Sequence, residues 1–415
     1  MKYLIIGGVA GGATVAARLR RMDEKAEIIL FERGKYVSYA NCGLPYYIGD
    51  TINDRNKLFV QTVKGFTDRF RIDIRTEQEV TRILPESKQV EVKKLGTGET
   101  YDKLVLSPGA EPLRPRIEGI ESKKIFTLRN VPDTDTIKNY VNTEKPRTAV
   151  VVGGGFIGLE MAENLHELGV HVTVVEMANQ VMAPLDYSMA AIVHQQLIGK
   201  QVGLMLEDGV SRFEETSRGV TVHLKSGKQI PADMVLLSIG VRPETRLAKE
   251  AGLTIGALGG IAVNEYMQTS NPDIYALGDA VEVRHLVTGK PALIPLAGPA
   301  NKQGRIVADN IVSGNKEPDK FAHAGFHAVK SAFVNAPVIE ELPMTLECEL
   351  VSYDPETCFM TGRIVNISVD EAVLGEDGKV DVTKLKPITY DPIHHDYLEI
   401  GKKVGNAFSD GKKLK

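Results

Sequence analysis

Two stretches of this chain repeat one design: an apolar run, a glycine cluster, a helix-patterned segment, and a second apolar run ending in an acid. The first stretch holds Tyr3-Leu4-Ile5-Ile6, then Gly7-Gly8-Val9-Ala10-Gly11-Gly12. Apolar Val15, Ala16 and Leu19 follow at helical spacing, and then Glu27-Ile28-Ile29-Leu30-Phe31-Glu32. The second stretch holds Thr148-Ala149-Val150-Val151-Val152, Gly153-Gly154-Gly155-Phe156-Ile157-Gly158, a helix pattern through Leu168, and His171-Val172-Thr173-Val174-Val175-Glu176. Apolar runs without alternation need cover on both faces, which a parallel sheet flanked by helices provides. The spacing predicts a βαβ unit in each stretch. Their wide separation indicates a duplicated domain rather than a short repeat.

The second glycine cluster satisfies G-x-G-x-x-G between a strand and a helix. Gly153 permits the tight turn, Gly155 lets backbone approach a pyrophosphate, and Gly158 packs helix on strand. Phosphates then rest on free N–H groups at the helix start. Glu176, at the end of the next strand, is placed to accept from ribose hydroxyls. It repels a 2′-phosphate, which favours NADH over NADPH. The first cluster is less regular, because Val9 stands where the second glycine would be. Its acid is Glu32, and Gly278-Asp279 offers a further carboxylate at a strand end, suited to a flavin's ribityl chain.

A lone cysteine lies in Ser38-Tyr39-Ala40-Asn41-Cys42-Gly43-Leu44-Pro45-Tyr46-Tyr47. With no second cysteine nearby in sequence, its redox partner is expected to be a small thiol or an oxygen atom. Two nucleotide sites and one thiol suggest a relay of electrons from a nicotinamide through a flavin to sulfur. Cys348 and Cys358 lie in alternating contexts and are expected to be half-buried hydrophobes. Three cysteines form neither a disulfide framework nor a zinc spacing, so no metal is expected.

Further apolar segments sort into domains. Lys103–Ala110 and Met234–Pro243 each read as a strand entering a turn, and Asp273–Ala280 as a strand ending in Gly-Asp. We expect residues 1–110 and 243–318 to form one discontinuous domain, interrupted by a second over 111–242. Residues 319–415, with short alternating segments and Asp-Pro or Asp-Gly turns, form a small β-rich module ending in a solvated tail, Gly411–Lys415. The net charge of −4 gives no support to nucleic acid or an anionic membrane as partner. Glycines interrupt the opening apolar run, and Arg18, Arg20 and Arg21 follow, so no secretory or membrane-spanning segment is read there. A cytoplasmic protein is expected.

At this point the chain resembles a known family. Residues 1 to about 318 resemble the pyridine nucleotide–disulfide oxidoreductases, in the single-cysteine branch of coenzyme A-disulfide reductases, whose relatives are NADH oxidases, NADH peroxidases and persulfide reductases. The resemblance is carried by Ile6–Thr14, Asn41–Tyr46, Leu106–Ala110, Ala276–Asp279 and Pro295–Asn301. It implies an α/β fold of two Rossmann-like FAD/NAD(P)-binding domains, one inserted in the other, with 1–110 and 243–318 as the FAD-binding domain and 111–242 as the NAD-binding domain. FAD would be held by Gly7, Gly8, Val9, Ala10, Gly11, Gly12, Glu32, Arg33, Ser107, Pro108, Gly109, Gly278, Asp279 and Ala297. NADH, preferred to NADPH, would be held by Gly153, Gly155, Phe156, Ile157, Gly158, Glu176 and Gly240. Coenzyme A contacts would come from Thr14, Arg18, Arg21, Ser38 and Asn41, with Cys42 as the redox centre. Arg18 and Arg21 suit phosphate in their own right, as guanidinium donors.

The tail is different. Phe326–Ser331, Asn335–Glu341, Tyr390-Asp391-Pro392 and Gly405–Ser409 resemble the C-terminal half of flavoredoxin-like flavin reductases, which are FMN-binding split barrels. The resemblance implies a partial split barrel, joined near Pro318–Lys320, in place of the usual dimerisation domain. FMN is disfavoured there because the half carrying much of its contact is absent. A homodimer would need a non-standard interface. His394 and His395 are read as surface turn residues.

The activity implied is an FAD- and NADH-dependent reduction of coenzyme A disulfide or a coenzyme A persulfide, with the Cys42 thiolate as nucleophile. Two alternatives stand beside it: an NADH oxidase or peroxidase using a Cys42 sulfenic acid, and a flavin-binding protein without turnover.

Overall fold

The computed structural model describes residues 1–93, 98–313, 327–334, 336–354, 359–391 and 396–399. The junction at Pro318–Lys320, Phe326, Asn335, Cys358, Pro392, His394, His395, the 405–409 stretch and the 411–415 tail lie outside these residues. The chain divides into two compact units, Met1–Asn315 and Lys316–Lys415.

The first unit is built on two five-stranded parallel sheets. One has the spatial order Ile274–Ala276, Lys103–Leu106, Lys2–Ile6, Glu27–Glu32, Asp73–Thr76. The other has the order Gly203–Met205, His171–Val175, Thr148–Val152, Met234–Leu237, Ile125–Phe126. In each, the strand before the glycine turn is central, paired in register on both sides: Ile6 with Phe31 and Leu106, Val152 with Val175 and Leu237.

The uninterrupted apolar runs are explained by cover on both faces. Tyr3 and Ile5 enter one core cluster while Leu4 and Ile6 enter another. In the second sheet Ala149 and Val151 face one cluster, Val150 and Val152 the other. Helices Ala10–Met22 and Ala297–Ser313 help to bury the first sheet, which explains why a segment so late in sequence belongs there. The two crossings between sheets, Ala110–Pro112 and Val241–Pro243, pair with each other as antiparallel strands.

The described residues of the second unit form three antiparallel pairs: Ala328–Lys330 with Pro337–Ile339, Met344–Tyr353 with Met360–Val369, and Ile388–Asp391 with Asp396–Glu399. Cys348 departs from its expected half-burial and is exposed, opposite Ile364. On its strand the buried residue is the neighbour, Glu347. There the Glu347 carboxylate accepts from the Ser331 hydroxyl and, at 2.6 Å, from the Asn366 amide.

Candidate active site

The two glycine turns are near copies in atomic detail. Gly7 has φ +97°, and a Cβ there would lie 2.0 Å from the Ser107 carbonyl oxygen. Gly153 has φ +108°, with the Ser238 oxygen 2.3 Å from its would-be Cβ. At the third glycine of each turn, Gly12 and Gly158, a Cβ would come 1.9 Å and 2.0 Å from the carbonyl of Gly7 and Gly153. These four positions therefore exclude any side chain. Gly155 is different: nothing lies within 4 Å of a Cβ there. It fronts open space, as an approach point for a phosphate should. Neither helix that follows has a side chain capping its first turn. Their leading N–H groups are left for a ligand.

Both acids at the strand ends are held by backbone. The Gly8 N–H donates to Glu32 Oε2 at 2.9 Å and the Gly34 N–H to Oε1 at 2.7 Å. At the second glycine turn the Gly154 N–H donates to Glu176 Oε2 and the Ala178 N–H to Oε1, each at 2.8 Å. Each carboxylate is thus fixed in rotamer, with lone pairs to spare for ribose hydroxyls.

One cavity of about 1200 Å³ joins these features. Of the residues expected at the flavin, Gly7, Val9, Ala10, Gly11, Glu32, Arg33, Ser107, Pro108, Gly109, Gly278, Asp279 and Ala297 line it. So do Gly153, Gly155, Phe156, Ile157, Glu176 and Gly240 from the nicotinamide set, together with Asn41 and Cys42. Gly8, Gly12 and Gly158 stand behind the wall as packing positions.

The remaining coenzyme A set lies off the cavity. Thr14, Arg18 and Arg21 share one face of helix Ala10–Met22. Thr14 Oγ1 donates to Asn301 Oδ1 at 2.8 Å, Arg18 Nε donates to Asp309 at 2.8 Å, and Arg21 lies over the Phe70 ring. Ser38 holds φ +48° and donates its N–H to the Gly8 carbonyl at 2.9 Å, so it braces the turn. Arg20, beside them in sequence, is buried and donates to four backbone carbonyls, a structural role.

Cys42 is exposed, in a single 3-10 turn (Asn41–Gly43) that runs into helix Leu44–Ile48. That helix is anchored in the core beneath the second parallel sheet: Leu44 and Ile48, with Leu58, pack with Phe126, Met161 and Leu165. Gly49 leaves no room for a Cβ, which would sit 2.1 Å from Asn164 Oδ1.

The structure adds residues that sequence reading missed. Glu160 lines the cavity, and burial followed by the neighbouring Glu163 charge raises its carboxyl above the usual range. Tyr46 feels burial first and then the charges of Glu160, Glu163 and Cys42, all raising its hydroxyl. Tyr39 lines the cavity with its hydroxyl pushed up to about 12, chiefly by burial and then by Glu32. It therefore stays protonated as a donor. Glu111, on the crossing strand, accepts from both Arg33 and Arg129 (the latter at 2.7 Å), and Arg129 also donates to the Pro108 carbonyl at 3.2 Å. Glu160 lies two residues after Gly158, just past the helix's first turn, so a search extended one residue beyond that turn could have flagged it. Glu111 and Arg129 carried no sequence signal.

Burial raises the Asp279 carboxyl, and the Arg129 charge opposes that rise. A carboxyl whose pKa rises on folding costs stability once the pH passes its unfolded value, and the full cost applies above the folded pKa. At neutral pH, Asp279→Asn should therefore leave the flavin-free protein as stable or more stable by a few degrees, roughly the shift of a modest ΔΔG. On the sequence expectation that Asp279 holds the flavin's ribityl chain, the same change should weaken FAD binding about tenfold, because one carboxylate oxygen and the charge give way to an NH2 donor. Thermal unfolding with and without FAD checks both; a variant that is destabilised without flavin yet binds it normally refutes this role.

Among the described residues no helix is long and apolar enough to cross a membrane, and no cluster of metal-ligating side chains occurs.

Comparison with known proteins agrees with this geometry. The family model for pyridine nucleotide-disulphide oxidoreductase matches residues 1–304. A coenzyme A disulfide reductase of Staphylococcus aureus (strain JH9) is 34% identical over 333 residues, 79% of this chain and 74% of its own length. The crystal structure of reduced Bacillus anthracis CoADR-RHD superposes with TM-score 0.74 at 54% identity, covering 79% of this chain; this chain spans only 59% of that one. An NAD-dependent persulfide reductase from A. fulgidus gives TM-score 0.74 at 36% identity, covering 86% of this chain and 69% of that chain. With duplicated dinucleotide turns, a shared cavity and a single thiol at its wall, the chain belongs to the pyridine nucleotide-disulphide oxidoreductase family, in its coenzyme A-disulfide reductase and NADH oxidase branch, as a flavoprotein oxidoreductase that uses FAD and a nicotinamide nucleotide.

Proposed function

We propose that this protein reduces coenzyme A disulfide, or a related low-molecular-weight persulfide, with NADH and through Cys42. One observation carries the reading: an exposed thiol opens on the same cavity as two glycine turns, each backed by a backbone-held carboxylate. The S. aureus and A. fulgidus relatives, by the reactions in their names, support the acceptor class.

In this reading residues 1–110 and 243–318 hold FAD and 111–242 hold the nicotinamide nucleotide. The cavity-lining residues of the two glycine turns, with Glu32, Arg33, Asp279 and Glu176, serve the cofactors. Thr14, Arg18, Arg21, Ser38 and Asn41 guide coenzyme A. Bound FAD and NADH supply a hydride and, through it, two electrons to sulfur.

The chain's own residues do the rest. The Cys42 thiolate attacks one sulfur of the coenzyme A disulfide, forming a Cys42–S–S–CoA bond and breaking the substrate's S–S bond. One coenzyme A leaves as thiolate. Two electrons cleave the mixed disulfide, releasing the second coenzyme A and restoring the Cys42 thiolate. Glu160 lines the same cavity with its carboxyl raised above the usual range by burial and Glu163, which supports assigning it the proton for a leaving thiolate. The cysteines of a thiol relay belong in a reducing compartment, so we place the protein in the cytoplasm.

Steady-state NADH consumption tests the proposal. It should depend on added coenzyme A disulfide, and the mass of the intact, non-reduced protein should show a coenzyme A adduct on Cys42. Consumption driven by oxygen or peroxide alone transfers the reading to an oxidase or peroxidase with a Cys42 sulfenic acid. A bound flavin without turnover defeats both.

A further inference from the structure

Lys225 lies in the turn after strand Val220–Leu224, on the cavity wall it shares with Gly153, Gly155 and Glu176, that part being the cavity's second lobe. Its N–H donates to the Gly209 carbonyl at 2.8 Å. Its side chain lies across Gly209, where a Cβ would come 3.4 Å from Lys225 Cε and 3.6 Å from Nζ. The ammonium ends 4.0 Å from Sδ of Met177, the residue that follows Glu176. Among the described residues it makes no ion pair, and that weak sulfur contact is its recorded partner.

The acids nearby are already engaged. Both Glu176 oxygens accept from backbone N–H groups. Asp208, which donates its N–H to the Glu176 carbonyl at 3.2 Å, accepts from the Ser226 N–H at 3.1 Å and the Ser226 hydroxyl at 2.5 Å. The ribose end of this lobe therefore presents a carboxylate fixed by two donors beside a cation with no anion. The lysine chain lies across Gly209 at ordinary van der Waals distance.

We propose that Lys225 receives the 2′-phosphate of NADPH, so that the site accepts both nicotinamide donors in spite of Glu176. This rests on reading the lobe as the nicotinamide-nucleotide site. A flexible, hydrated ammonium suits such a task. It can stand aside for a 2′-hydroxyl held by Glu176 and swing onto a phosphate when one is present. The attraction is exposed, so it should fade as salt rises.

The test is calorimetric titration of the FAD-loaded protein with 5′-AMP and with adenosine 2′,5′-bisphosphate at low and high salt. Wild-type protein should bind the bisphosphate at least as tightly as 5′-AMP at low salt, with the advantage shrinking at high salt. Lys225→Met should weaken the bisphosphate about tenfold relative to 5′-AMP, the scale of one lost charge-assisted contact. Lys225→Arg should retain the preference. The ratio of kcat/KM for NADPH to that for NADH should fall in parallel in Lys225→Met. Equal weakening of both probes, or none, overturns the role of Lys225 while leaving the lobe a nucleotide site. Binding of 5′-AMP without the bisphosphate overturns the inference alone; failure of both probes to bind wild-type protein overturns the reading of the lobe itself, and the inference with it.

Discussion

Replacing Cys42 by serine is expected to lower disulfide-dependent turnover by on the order of a thousandfold or more, because the nucleophile is lost outright. A serine hydroxyl is almost wholly protonated near neutral pH and cannot form a mixed disulfide. The fold should not notice the change: Cys42 is exposed, and the turn that bears it is held by Leu44, Ile48 and Leu58 in the core behind it. FAD content and thermal stability should match the parent. Bleaching of the bound flavin by NADH in a single rapid-mixing turnover should survive, since that step needs no sulfur. The diagnostic is the separation of the two half-reactions. A serine variant that still turns over coenzyme A disulfide within tenfold of the parent removes Cys42 from the chemistry.

The second large effect concerns two glycines only three positions apart. Gly158→Ala places a methyl 2.0 Å from the Gly153 carbonyl and 2.7 Å from Ser238 Oγ, so helix and turn must separate. Overpacking of this kind costs about 1–3 kcal/mol or more when backbone is the obstacle. We expect a lower melting temperature and loss of NADH binding together. Gly155→Ala meets nothing within 4 Å, and its φ of −81° is one alanine adopts freely. It should leave stability unchanged or raise it by up to about 1 kcal/mol through the unfolded chain. Yet its methyl projects into the space we assign to pyrophosphate, so the KM for NADH should rise about tenfold, the scale of a lost phosphate contact. Thermal unfolding paired with NADH titration distinguishes these two patterns. If Gly155→Ala destabilises as much as Gly158→Ala, the turn is merely a packing device and the phosphate site lies elsewhere.

The duplicated units were legible from sequence because their signals are local. Parallel strands buried on both faces must be apolar throughout, and a turn with φ near +100° tolerates only glycine, so Gly7 and Gly153 declare themselves without any tertiary knowledge. Glu32 and Glu176 were equally visible at the strand ends, because the βαβ unit fixes their distance from the turn. Cys348 was read wrongly for the converse reason. Alternation alone does not say which face of a hairpin is covered, and here Glu347 is the buried neighbour.

Sequence thus determined that two dinucleotide-type units exist, where their phosphate turns lie, and which thiol is the candidate nucleophile. It could not determine that the helix following Cys42, early in the chain, is packed into the core beneath the second parallel sheet, nor that Glu160 and Arg129 line one cavity with Glu111 holding Arg129 from behind. Those facts depend on how two crossing strands, Ala110–Pro112 and Val241–Pro243, pair and bring distant surfaces together. Turn geometry is imposed by neighbours in the chain, whereas a cavity between sheets arises from contacts distant in sequence, which no local pattern of residues encodes.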